Sequence, residues 1–111
     1  MELTYTQAKE IINTIGRFKI TGYDHYGLTV LSVGNREFAI GTEDEADYAW
    51  EEALGSYWDE CVLPEIPKGI NGYLDYDKWE SDARMDGRGH ALSNYDGCET
   101  DVADLVMFRT N

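Results

Sequence analysis

Leu28-Thr29-Val30-Leu31-Ser32-Val33-Gly34-Asn35-Arg36-Glu37-Phe38-Ala39-Ile40-Gly41-Thr42-Glu43-Asp44-Glu45-Ala46 changes its rule twice along its length. The β-rich runs Leu28–Val33 and Glu37–Ile40 flank Gly34-Asn35, a pair that tolerates positive φ and suits a tight hairpin turn. Thr42 and Glu45 then stand three residues apart, the spacing of a capping box, in which a hydroxyl and a carboxylate satisfy orphan N–H groups at a helix start. A hairpin running straight into a helix predicts an α+β fold.

Towards the N-terminus the run Phe18–Thr21 adds a third strand, set off by Asp24-His25-Tyr26-Gly27. Before it, Thr6 is placed to cap a helix ending near Ile15, with Ala8, Ile11, Ile12 and Ile15 on one face and Gly16 as its stop. Towards the C-terminus, Ala46, Ala49, Trp50, Ala53, Leu54, Tyr57, Trp58 and Cys61 keep helical spacing. On a helical wheel Asp44, Glu45, Glu51, Glu52 and Asp59 fall opposite that stripe, with Asp47 on its flank. Gly55-Ser56 is a place for a bend, and Pro64-Glu65-Ile66-Pro67 ends the helix. A second acidic helix is expected from about Asp75 to Met85, with Tyr76, Trp79 and Ala83 on one side and Asp75, Asp77, Glu80 and Asp82 elsewhere. Lys78 to Asp82 and Glu80 to Arg84 are i, i+4 pairs. Asp86–Gly89 and Asn94–Gly97 read as turns, and Leu105–Phe108 as a strand returning to the sheet.

The expectation is one domain over residues 1–111, with a small antiparallel sheet of three to four strands, an N-terminal helix and two acidic helices. Residues 1–42 form the helix and strands, and 43–111 form an acidic helical part with a C-terminal strand. A chain of 111 residues, 42% hydrophobic and 13% aromatic, can bury a core, so its charge belongs to a folded surface.

That charge is lopsided. Twenty-two Asp and Glu stand against nine Lys and Arg, for a formal charge of -13. Residues 1–42 balance four acids with four bases, so the whole excess lies in 43–111, where 18 acids face five bases. Such a chain repels polyanions, which argues against direct nucleic-acid binding and against anionic membranes. No run reaches 18 apolar residues, and Met1-Glu2-Leu3-Thr4 has neither the basic start nor the apolar core of a secretory signal, so the cytoplasm is the expected location. Cys61 and Cys98 form no C-x-x-C motif and read as reduced thiols, with a disulfide left open.

Catalytic patterns are missing from the sequence. His90 with Asp86, Asp96, Cys98 and Glu99 offers ligand types for zinc or a hard cation, in a spacing that matches no metal motif. An EF-hand loop begun at Asp75 puts Glu80 where glycine is required, and one begun at Asp96 puts Asp101 there. Gly87-Arg88-Gly89 would need its third glycine at Leu92, and Ser81 and Ser93 lack the G-x-S-x-G context. The reading is no enzyme, no cofactor and no metal.

The acidic surface remains. Concentrating 18 acids with five bases costs compactness through self-repulsion, beyond what solubility asks for. Carboxylates at i and i+4 lie about 6 Å apart along a helix axis. Alternate phosphates of one DNA strand lie at about twice ~3.4 Å. An acidic ridge can therefore imitate a phosphate track and enter a basic DNA-binding cleft. The expected partner-binding residues are Asp44, Asp47, Glu51, Glu52, Asp59, Glu60, Asp75, Asp77, Glu80 and Asp82.

Trp58-Asp59-Glu60-Cys61-Val62-Leu63-Pro64-Glu65-Ile66-Pro67, followed by Tyr73-Leu74-Asp75-Tyr76-Asp77-Lys78-Trp79-Glu80-Ser81-Asp82, resembles the C-terminal part of ArdA-type antirestriction proteins over about residues 44–89. In that family an acidic helix leads through a V-P or I-P turn into a Y-[IL]-D-Y segment and a second acidic helix. The resemblance implies a DNA mimic of phages or mobile elements, often dimeric, that occupies the DNA groove of type I restriction-modification enzymes. It places Asp59, Glu60, Asp75, Asp77 and Asp82 among the mimicking charges. The chain is shorter than a three-domain family member and carries Ser81 where the family commonly has Arg. A homodimer and an anti-CRISPR target, a Cas effector blocked from DNA, are thus further expectations. An alternative of another class is an acidic adaptor whose partner contact is apolar, through Tyr23, Tyr26 or Tyr95.

Overall fold

The structure is a computed structural model that describes residues 2–62, 64 and 76–111. The elements run α1 (Tyr5–Ile15), β1 (Lys19–His25), β2 (Leu28–Val33), β3 (Arg36–Gly41), α2 (Glu43–Tyr57), a π-helical segment (Trp58–Val62), α3 (Tyr76–Arg84), α4 (Arg88–Leu92), β4 (Thr100–Val102) and β5 (Leu105–Arg109). The fold is α+β, as the hairpin-to-helix stretch predicts. The strands form one antiparallel sheet in the order β1-β2-β3-β5-β4. It has five strands rather than three to four. The added one, β4, is a three-residue edge strand paired with β5 through Asp101 and Val106, too short to leave a period in the sequence.

Strand alternation divides the core between the two faces of the sheet. Phe38, Ile40, Leu105 and Met107 point to one face and join Ile11 of α1, which is fully buried. Ala39, Val106 and Phe108 point to the other and meet Leu28, Leu92 and the Ala46, Ala49 and Ala53 stripe of α2. Burying a side chain such as Ile11 stabilises by roughly 1.5–3 kcal/mol, so α1 is anchored by few residues but strongly. The alanine stripe lets α2 lie close against the sheet.

Both capping boxes are present, one of them at an unexpected place. Thr42 and Glu45 cap α2 as their spacing predicts. The first helix, however, is capped by Thr4, not Thr6. Three residues beyond Thr4 stands Gln7, whose side-chain oxygen accepts the Thr4 N–H at 3.0 Å. Three residues beyond Thr6 stands Lys9, which has no acceptor to offer. Gln7 also donates to Asp104 at 2.8 Å, tying the helix start to the β4–β5 turn.

Gly34-Asn35 makes the expected hairpin turn, with Gly34 at φ 61°. Strand β1 is an irregular edge, its register with β2 shifting between Ile20 and Asp24 around Gly22 at φ 83°. Such bulges discourage edge-to-edge pairing. Residues 86–89 do not form only a turn, because α4 begins at Arg88.

Candidate partner-binding surface

Helix α2 presents its apolar stripe to the sheet and its acids to solvent, and α3 is fastened to its end by aromatic rings. Trp58, only 8% exposed, meets Tyr76 edge-on at 5.0 Å between ring centroids and Trp79 at 5.1 Å. Tyr57 stacks parallel to Trp79 at 6.0 Å. Offset and edge-to-face pairs at such distances add about 0.5–1.5 kcal/mol each beyond burial. Arg84 completes the junction by lying 4.5 Å above the Trp50 ring and donating to Glu80 at 2.9 Å. Burial raises the Tyr76 pKa first, helped by a hydrogen bond to Glu80.

The junction differs from the stripe read in the sequence. Regular α-spacing carries Tyr57 and Cys61 inward with Trp58. In the structure Trp58 is buried, but Tyr57 is 56% exposed and Cys61 is exposed. For Cys61 the cause is the switch from i→i+4 to i→i+5 bonding over Trp58–Val62, which widens the coil and changes the phase of every side chain within it, while Tyr57, the last residue of α2, stacks outward on Trp79.

The expected binding residues divide into three groups. Asp44, Glu51, Glu52, Asp59, Glu60, Asp77 and Asp82 are exposed, and none forms an ion pair among the described residues. Glu52 accepts a hydrogen bond from Tyr48, which raises the tyrosine's pKa and orients the carboxylate. Asp47 and Glu80 are engaged within the fold, Asp47 with Arg88 at 2.7 Å and Glu80 with Arg84. Asp75 lies outside the described residues, as do residues 63 and 65–75 of the stretch that carries the ArdA-type resemblance.

Arg88 is the residue that periodicity missed. Its side chain, 11% exposed, donates to Glu43 at 2.5 Å, Asp47 at 2.7 Å and Glu99 at 2.9 Å. One guanidinium thus joins α2, α4 and the approach to β4. The Glu99 bond is the strongest influence raising its pKa further above an already high value, with burial opposing and Glu43 and Asp47 assisting.

The polar groups weighed as metal ligands are dispersed. Glu99 is held by Arg88, while Asp96 accepts from Ser93 and from the Cys98 N–H. Those bonds, the Cys98 N–H foremost, lower the Asp96 pKa. Among the described residues no three His, Cys, Asp or Glu side chains are grouped to hold a metal. Cys61 and His90 line a cleft of about 440 Å³ walled by Tyr26, Tyr57 and Trp79. Among the described residues no helix is long and apolar enough to cross a membrane.

No protein-family model matches the sequence, and no curated protein and no solved structure matches it either, so the ArdA-type resemblance rests on the residues quoted for it.

Proposed function

We infer that this chain is a non-enzymatic DNA mimic that acts in a host cytoplasm, occupying the basic DNA-binding cleft of a defence complex, with a type I restriction-modification enzyme as the leading target. The reading is carried by one observation: seven of the expected acids are exposed on α2, the π segment and α3 and form no ion pair among the described residues. A surface kept for solubility gains from interspersed bases, whereas of the bases near these acids Arg84 is engaged with Glu80 and Arg88 with Glu43, Asp47 and Glu99, and Lys78 on α3 forms no ion pair with these seven acids among the described residues. Along α2, Asp44 and Glu51 are seven residues apart, about 10.5 Å at ~1.5 Å per residue. Three phosphate steps of one DNA strand at ~3.4 Å cover nearly the same rise. The track is therefore coarser than the i, i+4 spacing suggests, because Asp47 is withdrawn to Arg88.

The test is capture of a purified type I restriction enzyme, and in parallel a Cas effector, with and without competing duplex DNA. Displacement by DNA, together with at least tenfold weaker binding as salt rises from about 50 to 500 mM, supports mimicry, since screening shortens from more than 10 Å to under 8 Å over that range. Binding indifferent to both would overturn it. Preference for the Cas effector would move the target and keep the mechanism. The adaptor reading is favoured by Tyr23, 76% exposed on the edge strand, and it predicts salt-insensitive binding lost in Tyr23→Ala.

A further inference from the structure

The molecule already holds one guanidinium between an aromatic ring and a carboxylate. Arg84 lies 4.5 Å above the Trp50 ring and donates to Glu80 at 2.9 Å. The ring face supplies a negative quadrupole and the carboxylate a full charge, two attractions that a planar guanidinium accepts together. The cleft lined by α2, the π segment, α3 and α4 offers the same chemistry with no arginine in place. Its aromatic walls are Tyr26, Tyr57 and Trp79, its one carboxylate is Glu60, and neither lysine nor arginine lines it. At about 440 Å³ it falls within the roughly 300–1,000 Å³ of ligand sites.

The walls are set up by separate elements. Tyr57 stacks parallel to Trp79 and is exposed, so its ring stays open to the cleft. Tyr26 comes from the β1–β2 turn at φ 55°, a left-handed conformation that strains a bulky residue and that glycine or asparagine adopts more readily. Its ring, edge-on to His25 at 4.9 Å, closes the cleft from the sheet side. Glu60 forms no ion pair among the described residues. A guanidinium has five N–H donors, and Ser56, Asn94 and a neutral His90 bring further acceptors to the same cleft.

The chain's charge of -13 draws cations towards this cleft and turns anions away. Arginine suits it better than lysine, because the guanidinium is flat, weakly hydrated and able to stack, whereas an ammonium keeps its water. Arginine is also among the residues that most often anchor a protein interface by filling a pocket. We propose that this cleft receives one arginine side chain of a protein partner, its guanidinium against the Tyr26, Tyr57 and Trp79 rings and paired with Glu60. Nothing more than a basic partner is required, so the site stands whether or not the acidic ridge imitates DNA.

The experiment is an NMR titration of the full chain that follows the indole Nε–H signals of its three tryptophans, of which only Trp79 lines the cleft and Trp50 serves as reference. The probes are a blocked glycyl-arginyl-glycine tripeptide, its lysine counterpart, methylguanidinium, and sodium chloride at matched ionic strength. A saturable Trp79 shift with the arginine peptide supports the site when it is at least about fivefold tighter than with the lysine peptide and weakens at least about fivefold in Glu60→Gln and in Tyr26→Asn. Asparagine suits the left-handed turn, so Tyr26→Asn removes the ring and keeps the backbone, and an unchanged amide spectrum in both variants separates lost recognition from lost folding. A shift that sodium chloride reproduces, equal binding of the lysine peptide, methylguanidinium binding as tightly as the arginine peptide, or full retention in either variant would overturn the proposal.

Discussion

The two halves of α2 carry the same kind of residue to opposite ends. In its first turns Glu45 closes the capping box, while Glu43 and Asp47 are held by Arg88. Further along, Glu51 and Glu52 meet no cation among the described residues, and neither do Asp59 and Glu60 beyond the helix. Acids at a helix N-terminus also interact favourably with its dipole, whereas those further on do not. The first group is structural and the second is available to a partner, although composition alone cannot tell them apart.

The sharpest way to break that contrast is Arg88→Gln. It removes a mostly buried guanidinium from three carboxylates and leaves them facing one another. Truncating one partner of a buried charge cluster costs about 3–5 kcal/mol. Because Glu43 and Asp47 are themselves largely solvated, the expected loss is about 2 kcal/mol, read from urea unfolding. A change under a few tenths would mean that Arg88 is not a clamp.

Thr42→Ala tests the cap in the same half of the helix, with an expected loss of about 1 kcal/mol. The other half should respond in the opposite direction. Replacing Glu51, Glu52 and Asp59 together by their amides relieves repulsion, so thermal stability should stay level or rise slightly while capture of the defence complex drops at least tenfold. Retained capture would place the contact elsewhere.

Asp96 supplies the smallest effect, and its sign is set by its partners. Its folded-state pKa is depressed, chiefly by the Cys98 N–H, then by Ser93. Its stabilising contribution is therefore complete above the ordinary carboxyl value near ~3.9 and is lost as pH falls through the lower folded value. Asp96→Asn should be less stable than the parent chain at neutral pH, with the gap closing as acid is added. A gap that widens in acid would contradict the assignment.

Much of the architecture was legible because it is written locally. The α2 cap, the Gly34-Asn35 turn, the final strand and the α1 stripe, from which only Ile12 departs by being 43% exposed, all depend on residues within a few positions of one another. What escaped depends on distance or on exceptions. The Arg88 partners lie 11, 41 and 45 positions away. Helix α4 was hidden by glycines that ordinarily mark turns. At Gly89 an added Cβ would stand 2.7 Å from the Gly97 carbonyl oxygen, so the glycine is there for close packing. Of the site, the sequence identified which residues are acidic and outward and, from i, i+4 spacing, that Glu80 faces Arg84, but not that Asp47 is held by Arg88.

The wide coil at Trp58–Val62 makes chain length at that point a steering setting. At ~3.6 residues per turn, one residue corresponds to about 100° of rotation. Excising a single residue there would let the ordinary winding continue, swing the Cys61 thiol around the axis and aim the outgoing chain along a new bearing. Descendants of this protein should therefore exchange residues in that segment far more freely than they shorten it.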